Sequence, residues 1–376
     1  MNTQELVIEL SKGISNLTIG HIIMLAVGGI LIYLAVAKEY EPVLLLPIGF
    51  GCILANIPLT GMTEGQGLFA VLHSAGIGNE LFPLLIFIGV GAMIDFSPLL
   101  SQPRMALLGA AGQFGIFATL ILATVLGFPL NEAASIGVIG AIDGPTSIFV
   151  ATKLAPNLLA PIAVAAYSYM SLIPIIQPPL MRLLTTREER RIRMVYAPTP
   201  ISRRVLIAFP IIVTLIVGIL VPDATPLISM LMLGNLLRDS GVVERLSKAA
   251  QNEIINIATL FLGLTIGSTM SAGSFLNVET VAILLLGLFA FVLDTVAGLI
   301  FGKILCVVSG RTINPLLGAA GISAFPMAGR LVARMALDED FDNMVLMHAM
   351  GANTAGQLGS VMAGGVLLAL VTGLLG

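Results

Sequence analysis

The sequence predicts an all-α polytopic membrane protein: two inverted repeats whose broken or re-entrant helices meet at a central ion site. Three observations predict it. Of 376 residues, 57% are hydrophobic and 10% charged, where a soluble domain carries about a quarter charged residues, and mean hydropathy is +1.02. Twelve apolar segments fall into two sets that match in order and spacing. Carboxylates stand inside several of those segments, where they persist only with a partner, a cation or a water-filled path.

A membrane crossing takes about 20 apolar residues. Apolar segments lie near 19–37, 43–58, 82–97, 105–127, 132–151 and 157–178. A second set follows near 203–221, 225–237, 254–271, 279–305, 312–329 and 343–375, the last long enough for two. The N-terminal stretch MNTQELVIELSKGISN is polar and amphipathic. It lacks the basic region and cleavage site of a secretory signal, so the first membrane helix is expected to remain in the mature chain. Forty glycines and twenty prolines occur without a low-complexity tract. Membrane helices tolerate both, because neighbours re-satisfy the freed backbone groups.

The chain divides into a first repeat (1–179, with the amphipathic N-terminus), a loop (180–204) and a second repeat (205–376). The loop holds Arg182, Arg187, Arg190, Arg191, Arg193, Arg203 and Arg204, seven of the eighteen Lys and Arg residues. That excess places it in the cytoplasm by the positive-inside rule. Net charge is −3, so nothing points to nucleic acid. Cys52 and Cys306, the only cysteines, are far apart in apolar stretches and read as packing residues. His21, His73 and His348 are isolated, and no metal-ligand spacing occurs.

The repeats align by their punctuation. Pro42 and Gly51 parallel Pro226 and Gly234; LLIFIGVGA (84–92) parallels ATLFLGLTI (258–266); GVIGAIDGP (137–145) parallels GAAGISAFP (318–326). Such repeats in transporters are often inverted across the membrane. Inversion needs an odd number of crossings, so one of six segments must fail to cross. The short segments 43–58 and 225–237 and the Gly/Pro-broken segments are the candidates.

Three acids fall within apolar segments: Asp95, Asp143 and Asp294. Asp143 precedes Gly144, Pro145, Thr146 and Ser147. Pro145 lacks an N–H and disfavours a helical Gly144, so the helix is expected to break there. The break leaves carbonyl oxygens beside a carboxylate and two hydroxyls, the hard oxygen ligands a cation such as sodium takes. The structural alternative is that Asp143 merely caps a helix starting at Pro145. The matching stretch of the second repeat offers an amide, a hydroxyl and a guanidinium instead: Asn314, Ser323 and Arg330. An ordinary turn at Asn314 and an interfacial anchor at Arg330 are the alternatives.

Tyr167, Ser168 and Tyr169 follow in the sixth segment. In the last, Asn353, Thr354, Gln357 and Ser360 are polar, with 353, 357 and 360 on one helical face; each could simply bind helix to helix. Asp95 opens a turn and reads as structural. Asp294 lies deeper but has no polar cluster around it in sequence, which ranks it low.

These residues carry a resemblance. The stretches EPVLLLPIGFG (41–51), FIGVGAMIDFSPLL (87–100), GAAGQFGIFA (109–118), IGAIDGPTSIF (139–149), AVAAYSYMSLIPIIQPPLMR (163–182), GNLLRDSGVVERLS (234–247), INPLLGAAGISAFPMAGR (313–330) and LMHAMGANTAGQLGS (346–360) run nearly the full length. The chain resembles the membrane-embedded beta subunit of the sodium-pumping biotin-dependent decarboxylases, which serve oxaloacetate, methylmalonyl-CoA, glutaconyl-CoA and malonate enzymes. The resemblance implies that a carboxyltransferase alpha subunit loads CO2 onto biotin of a carrier subunit. The beta subunit then decarboxylates that carboxybiotin and couples the step to sodium export across the bacterial cytoplasmic (inner) membrane. A small gamma or delta membrane subunit and a homo-oligomer are further implied partners.

By the same resemblance the key aspartate falls on Asp143. The second-repeat residues fall on Asn314, Gly318, Ser323 and Arg330, the tyrosine on Tyr169 and the later asparagine on Asn353. Asp143, Asn314, Ser323 and Asn353 are then the sodium ligands. Asp143, Tyr169, Ser323 and Arg330 serve catalysis, Tyr169 and Ser323 as stations for the proton consumed. Arg330, with Asn314, holds carboxybiotin. The stretch 61–82 is short where oxaloacetate members carry an insertion, which leans toward the acyl-CoA branch. The chain has no biotin-accepting Met-Lys-Met, so biotin must come from a partner. The rival reading is a stand-alone sodium-coupled secondary transporter of a small solute, which the repeats alone would equally suggest. A passive scaffold is disfavoured by the polar groups at depth.

Overall fold

The structure is a computed structural model and describes residues 11–195 and 200–375. The first ten residues of the amphipathic N-terminal segment, and Tyr196 to Thr199 of the basic loop, lie outside the described residues. The described residues form helices and no strand.

The first half consists of α1 (Ile19–Ala37), α2 (Pro42–Ala55), α3 (Leu81–Met93), α4 (Met105–Val125), α5 (Leu130–Gly137), α6 (Gly144–Leu154) and α7 (Leu159–Leu184). The second consists of α8 (Arg203–Leu220), α9 (Thr225–Ser240), α10 (Glu244–Ser268), α11 (Val278–Val308), α12 (Met327–Glu339) and α13 (Leu346–Leu375). Seven helices among the described residues are long and apolar enough to cross a bilayer. An eighth crossing is counted if α3 joins the helix Leu68–Ile77, from which it bends by 58°. The last apolar segment is one helix, not two. The chain is a multi-pass membrane protein, and its outer surface fits lipid: Ile212, Leu215, Ile216 and Ile219 of α8 are all exposed.

Local chemistry sets the helix ends. Thr18, Ser202 and Asn277 accept backbone N–H bonds from the first turns of α1, α8 and α11, and Pro42 and Pro226 stand where the missing N–H costs nothing. A π-helical turn precedes α3 (His73–Ile77), and another interrupts α10 (Ala250–Ile254). The two halves share this irregularity at the same place in their order.

Packing is reciprocal. α2 lies along α10 and α9 along α3; α7 packs on α11 and α13 on α4. Two glycines allow the first pair of contacts. A Cβ on Gly51 would strike the Leu264 carbonyl oxygen, and one on Gly234 the Ile88 carbonyl oxygen. Bare backbone lets helices approach closely where lipid supplies no hydrophobic drive to associate.

The 26 residues of α7 span about 39 Å. We call the side of the bundle at Leu159 the upper face and the side at Leu184 the lower face. The two broken segments double back rather than cross. Asn131, at the start of α5, donates to the Leu154 carbonyl at the end of α6 (2.8 Å), closing a hairpin on the upper face. In the second half a 3-10 turn, Pro315–Gly321, runs inward and α12 returns. Its open end is tied to residues beyond Leu184: Asn314 Nδ2 donates to the carbonyls of Arg190 (2.9 Å) and Ile192 (3.0 Å). This hairpin therefore opens on the lower face. The Gly/Pro-broken segments are thus hairpins, and the short helices α2 and α9, of 14 and 16 residues, are not among the seven long enough to cross.

The basic loop is pinned to the lower hairpin. The helix α7 continues to Leu184, so the loop's first residues are helical. Arg190, 9% exposed, pairs with Glu339 at 2.6 Å and Arg187 with the same carboxylate at 3.1 Å. Arg193 pairs with Asp340 (2.6 Å) and Asp342 (3.2 Å). The Arg190 hydrogen bond, opposed by burial and helped by the charges of Arg190 and Arg187, holds the Glu339 carboxyl below its ordinary range. The Arg193 hydrogen bond does the same for Asp340. Both carboxyls ionise more readily folded than unfolded, so their contribution is present at neutral pH and lost as pH falls through the lowered values. Hydrogen exchange over residues 185–195, corrected for its intrinsic pH dependence, is expected to show protection that is flat above about pH 5 and falls below about pH 4. Protection unchanged to pH 3 would mean that these pairs hold nothing.

Candidate functional site

The two hairpin tips meet inside the bundle. The first hairpin tightens from α5 into a 3-10 turn, Val138–Ala141, and then into Ile142 at φ 53°. A β-branched residue in the left-handed region is a steric outlier, and such strain gathers at functional positions. It arises here because Gly144 and Pro145 start a new helix immediately afterwards, with Pro145 in its first turn. At the contact, the Ser323 N–H of the second hairpin donates to the Ala141 carbonyl (3.2 Å).

Asp143 follows the turn and is 4% exposed. One of its oxygens, Oδ2, accepts three hydrogen bonds: from Thr146 Oγ1 (2.7 Å), Gln357 Nε2 (2.7 Å) and Ser360 Oγ (2.8 Å). The capping bond from Thr146 N–H to Oδ1 is long, at 3.4 Å. Asp143 is thus the N-cap of α6, as the structural alternative requires, but its short bonds go elsewhere. Gln357 and Ser360 come from α13 and hold a single buried carboxylate at the junction of two hairpins and a crossing helix.

The second hairpin joins the same cluster. Ser323 Oγ donates to the Gly356 carbonyl (2.8 Å), and Asn353 Nδ2 to the Ile322 carbonyl (2.7 Å). Several buried oxygens here have no hydrogen-bond partner among the described residues: Asn353 Oδ1, Thr354 Oγ1 and Tyr167 Oη. Buried polar atoms are ordinarily paired. The donor set can also invert. Hydroxyls present either a proton or a lone pair, and a carboxamide turned over presents its oxygen. Groups that donate to Asp143 can therefore become oxygen ligands beside it. One negative charge amid neutral oxygens matches one monovalent hard cation. Among the described residues no three His, Cys, Asp or Glu side chains converge, so a multi-acid metal cage is not built.

The family described as the Na+-transporting oxaloacetate decarboxylase beta subunit matches residues 20–371. The chain belongs to that family. It is 54% identical over 361 residues to the methylmalonyl-CoA decarboxylase subunit beta of Veillonella parvula, covering 96% of each chain. It is 50% identical over 362 residues to the glutaconyl-CoA decarboxylase subunit beta of Acidaminococcus fermentans, again covering 96% of each. It is 46% identical to the oxaloacetate decarboxylase beta chain of Klebsiella pneumoniae, covering 96% of this chain and 97% of that one. That last alignment runs over 420 residues, so the oxaloacetate relative carries residues this chain lacks.

Within this beta-subunit fold, the sequence-predicted site residues separate. Asp143, Ser323 and Asn353 share the cluster at the hairpin tips. Asn314 does not: its carboxamide latches the basic loop, and its Oδ1 accepts from Leu316 N–H (3.0 Å). Tyr169 Oη donates to the Leu284 carbonyl of α11. Arg330 is exposed on the first turns of α12 and makes no ion pair among the described residues. Asp95 is structural: it accepts from Ser97 N–H (2.9 Å) and pairs with Arg238 (3.2 Å). Burial pushes its carboxyl up, but Arg238 and Ser97 together hold it below its ordinary range.

Two residues gain a role that sequence reasoning missed. Gln113 sits where α4 is interrupted, and its Nε2 reaches the carbonyls of Gly109 (3.1 Å), Gly356 (3.3 Å) and Gly321 (3.4 Å). A lone amide flanked by Gly112 and Gly115 was the available signal. Asp294, ranked low for want of polar neighbours, accepts the Gly115 N–H, an orphan donor of the restarted α4. Its Oδ2 has no hydrogen-bond partner among the described residues and faces Gly140, where a Cβ would stand 3.1 Å away. No sequence signal joins Asp294 to a helix break in the other half.

Proposed function

We propose that this chain is the membrane subunit that decarboxylates carboxybiotin delivered by a partner and couples that step to sodium export. The single observation that carries the reading is the buried Asp143 carboxylate, held by three donors where hairpins from opposite faces touch. Its placement supports two repeats inverted across the membrane, each giving one hairpin to a shared site. Family membership supports the decarboxylase context, and the chain has no biotin-accepting Met-Lys-Met of its own.

In this reading sodium is cargo. Asp143 supplies the charge, Gln357 and Ser360 are its direct partners from the second half, and Ser323 and Asn353 join as further oxygen ligands from the same cluster. Asn314, tied to the basic loop, reports the state of the lower hairpin rather than binding the ion. Arg330, which makes no ion pair among the described residues, lies on the lower hairpin and suits the carboxylate of carboxybiotin. Tyr169 and Ser323 hold hydroxyl protons for the breakdown step. The basic loop faces the cytoplasm of a bacterial inner membrane. The biotin carrier, a carboxyltransferase alpha subunit and a small gamma or delta subunit complete the complex, and the chain assembles as a homo-oligomer. Coupling requires sodium to bind the two arrangements of the hairpins with different affinity.

The test adds carboxybiotin-loaded carrier to the protein in detergent and follows CO2 release with and without sodium. Sodium-dependent release is expected. Its absence overturns the reading, and sodium-driven solute uptake without release would support a stand-alone transporter instead.

A further inference from the structure

The outside of the bundle carries an apolar groove of about 460 Å3 between α4 and α11. Leu107 and Phe114 line it from α4, Ile300 and Ile304 from α11, each about half exposed. Ala110 and Ala297 between them have side chains too short to fill the space. The helices run in opposite directions. α11 descends beside α7, since Lys303 Nζ donates to the Leu184 carbonyl (3.1 Å), and α4 ascends toward the upper hairpin. The groove therefore lies in the lower part of the bundle. From Leu107 to Phe114 it covers about 10 Å of helix, and it stops at the interruption of α4 around Gln113.

At its lower mouth the chemistry changes. Arg104 immediately precedes α4, one helical turn below Leu107. Arg311 follows α11, and its N–H donates to the Cys306 carbonyl (2.7 Å), which folds it against the last turn. Both residues line one open cavity of about 590 Å3, with Arg193 and Met194 of the basic loop. Arg193 is already neutralised by Asp340 and Asp342. Arg104 and Arg311 are exposed and make no ion pair among the described residues. Two positive charges thus stand at the interfacial end of an apolar groove. A guanidinium presents a fork of donors that matches phosphate oxygens, and basic pockets at the ends of membrane helices hold anionic headgroups.

We infer that this groove seats one chain of an anionic phospholipid whose phosphate is held by Arg104 and Arg311. A partner helix fits the groove less well. It would need an apolar face along the bilayer core, about 30 Å, and the groove offers about a third of that. The lipid bears on the buried cluster through α4. The lower half of that helix ends at Gln113, whose amide reaches the carbonyls of Gly321 and Gly356. A chain filling the groove holds this half-helix in place from its outer side.

The full-length protein in detergent is titrated with dioleoyl phosphatidylglycerol and, separately, with dioleoyl phosphatidylcholine, and bound lipid is counted by native mass spectrometry. The chains are identical, and the choline charge opposes the guanidiniums. The anionic lipid is expected to bind at least about tenfold more tightly; equal binding overturns the seat. Arg104→Gln combined with Arg311→Gln should remove the preference, and a double variant that keeps it overturns the seat likewise. Ala110→Phe fills the groove from an exposed position and should weaken phosphatidylglycerol binding about tenfold with both arginines intact. If Ala110→Phe leaves that binding unchanged, the arginines form a plain anion site and no chain is seated. If it instead changes the oligomeric mass, the face is a contact between protein subunits and the lipid is overturned as its occupant. Should the double arginine variant fail to fold by size exclusion, Ala110→Phe decides alone.

Discussion

Asp143→Asn is expected to abolish sodium-dependent CO2 release and sodium transport together. Asparagine keeps the volume, and it keeps an acceptor for the long bond from Thr146 N–H. It removes the charge, and in one orientation it sets an NH2 against Thr146 Oγ1, Gln357 Nε2 and Ser360 Oγ, the three donors now pointed at Oδ2. Turning the amide over leaves donors of α6 and α13 contending for one weaker acceptor. An unmet buried polar group costs about 1–3 kcal/mol, so a lower thermal midpoint should accompany the functional loss. The two effects are separable. Sodium activation is read from rate against sodium concentration, and stability from unfolding in the same detergent. A variant with a normal sodium curve would reduce Asp143 to a helix cap, worth about 1 kcal/mol.

Gly318→Val is expected to destabilise the fold by about 3 kcal/mol or more. Gly318 lies in the 3-10 turn of the second hairpin, against α11, and a Cβ there would strike the Gly298 carbonyl oxygen. The reverse also holds: a Cβ on Gly298 would strike the Gly318 carbonyl oxygen. Both sides of the contact are backbone, so no side-chain rotation relieves the clash. Gly29→Ala on α1 is the matched control, since among the described residues nothing lies within 4 Å of a Cβ there. Its helix propensity should gain about 1 kcal/mol. Thermal midpoints of the two variants in detergent check the pair; a Gly318→Val midpoint near wild type would mean that the hairpin does not sit on α11 this closely.

Much of this architecture was legible beforehand because its causes are local. The apolar segments needed only hydropathy, and Pro145 and the Pro315–Pro326 stretch broke their helices where ring chemistry says they must. Asp143 was conspicuous because a carboxylate in an apolar run is costly wherever the run lies. Asn314 was the opposite case. Its motif placed it beside Asp143, yet its carboxamide went to Arg190 and Ile192, since a residue before a turn is held by whichever chain passes its open end.

The sequence by itself therefore determined the solvent, the helices, their breaks and the one carboxylate a cation site would need. Those follow from propensity, hydropathy and charge within about 20 residues of chain. Only the tertiary structure decided that the broken segments double back from opposite faces. A break frees the chain to continue or return, and closures such as Asn131 to Leu154 settle the choice. Only the tertiary structure chose Gln357 and Ser360 as the partners of Asp143, 214 and 217 residues away, and gave Asp294 the orphan N–H of Gly115. The physical reason is common to all three. Which donor fills a buried lone pair depends on the close approach of elements from different halves of the chain, and no local pattern records that distance.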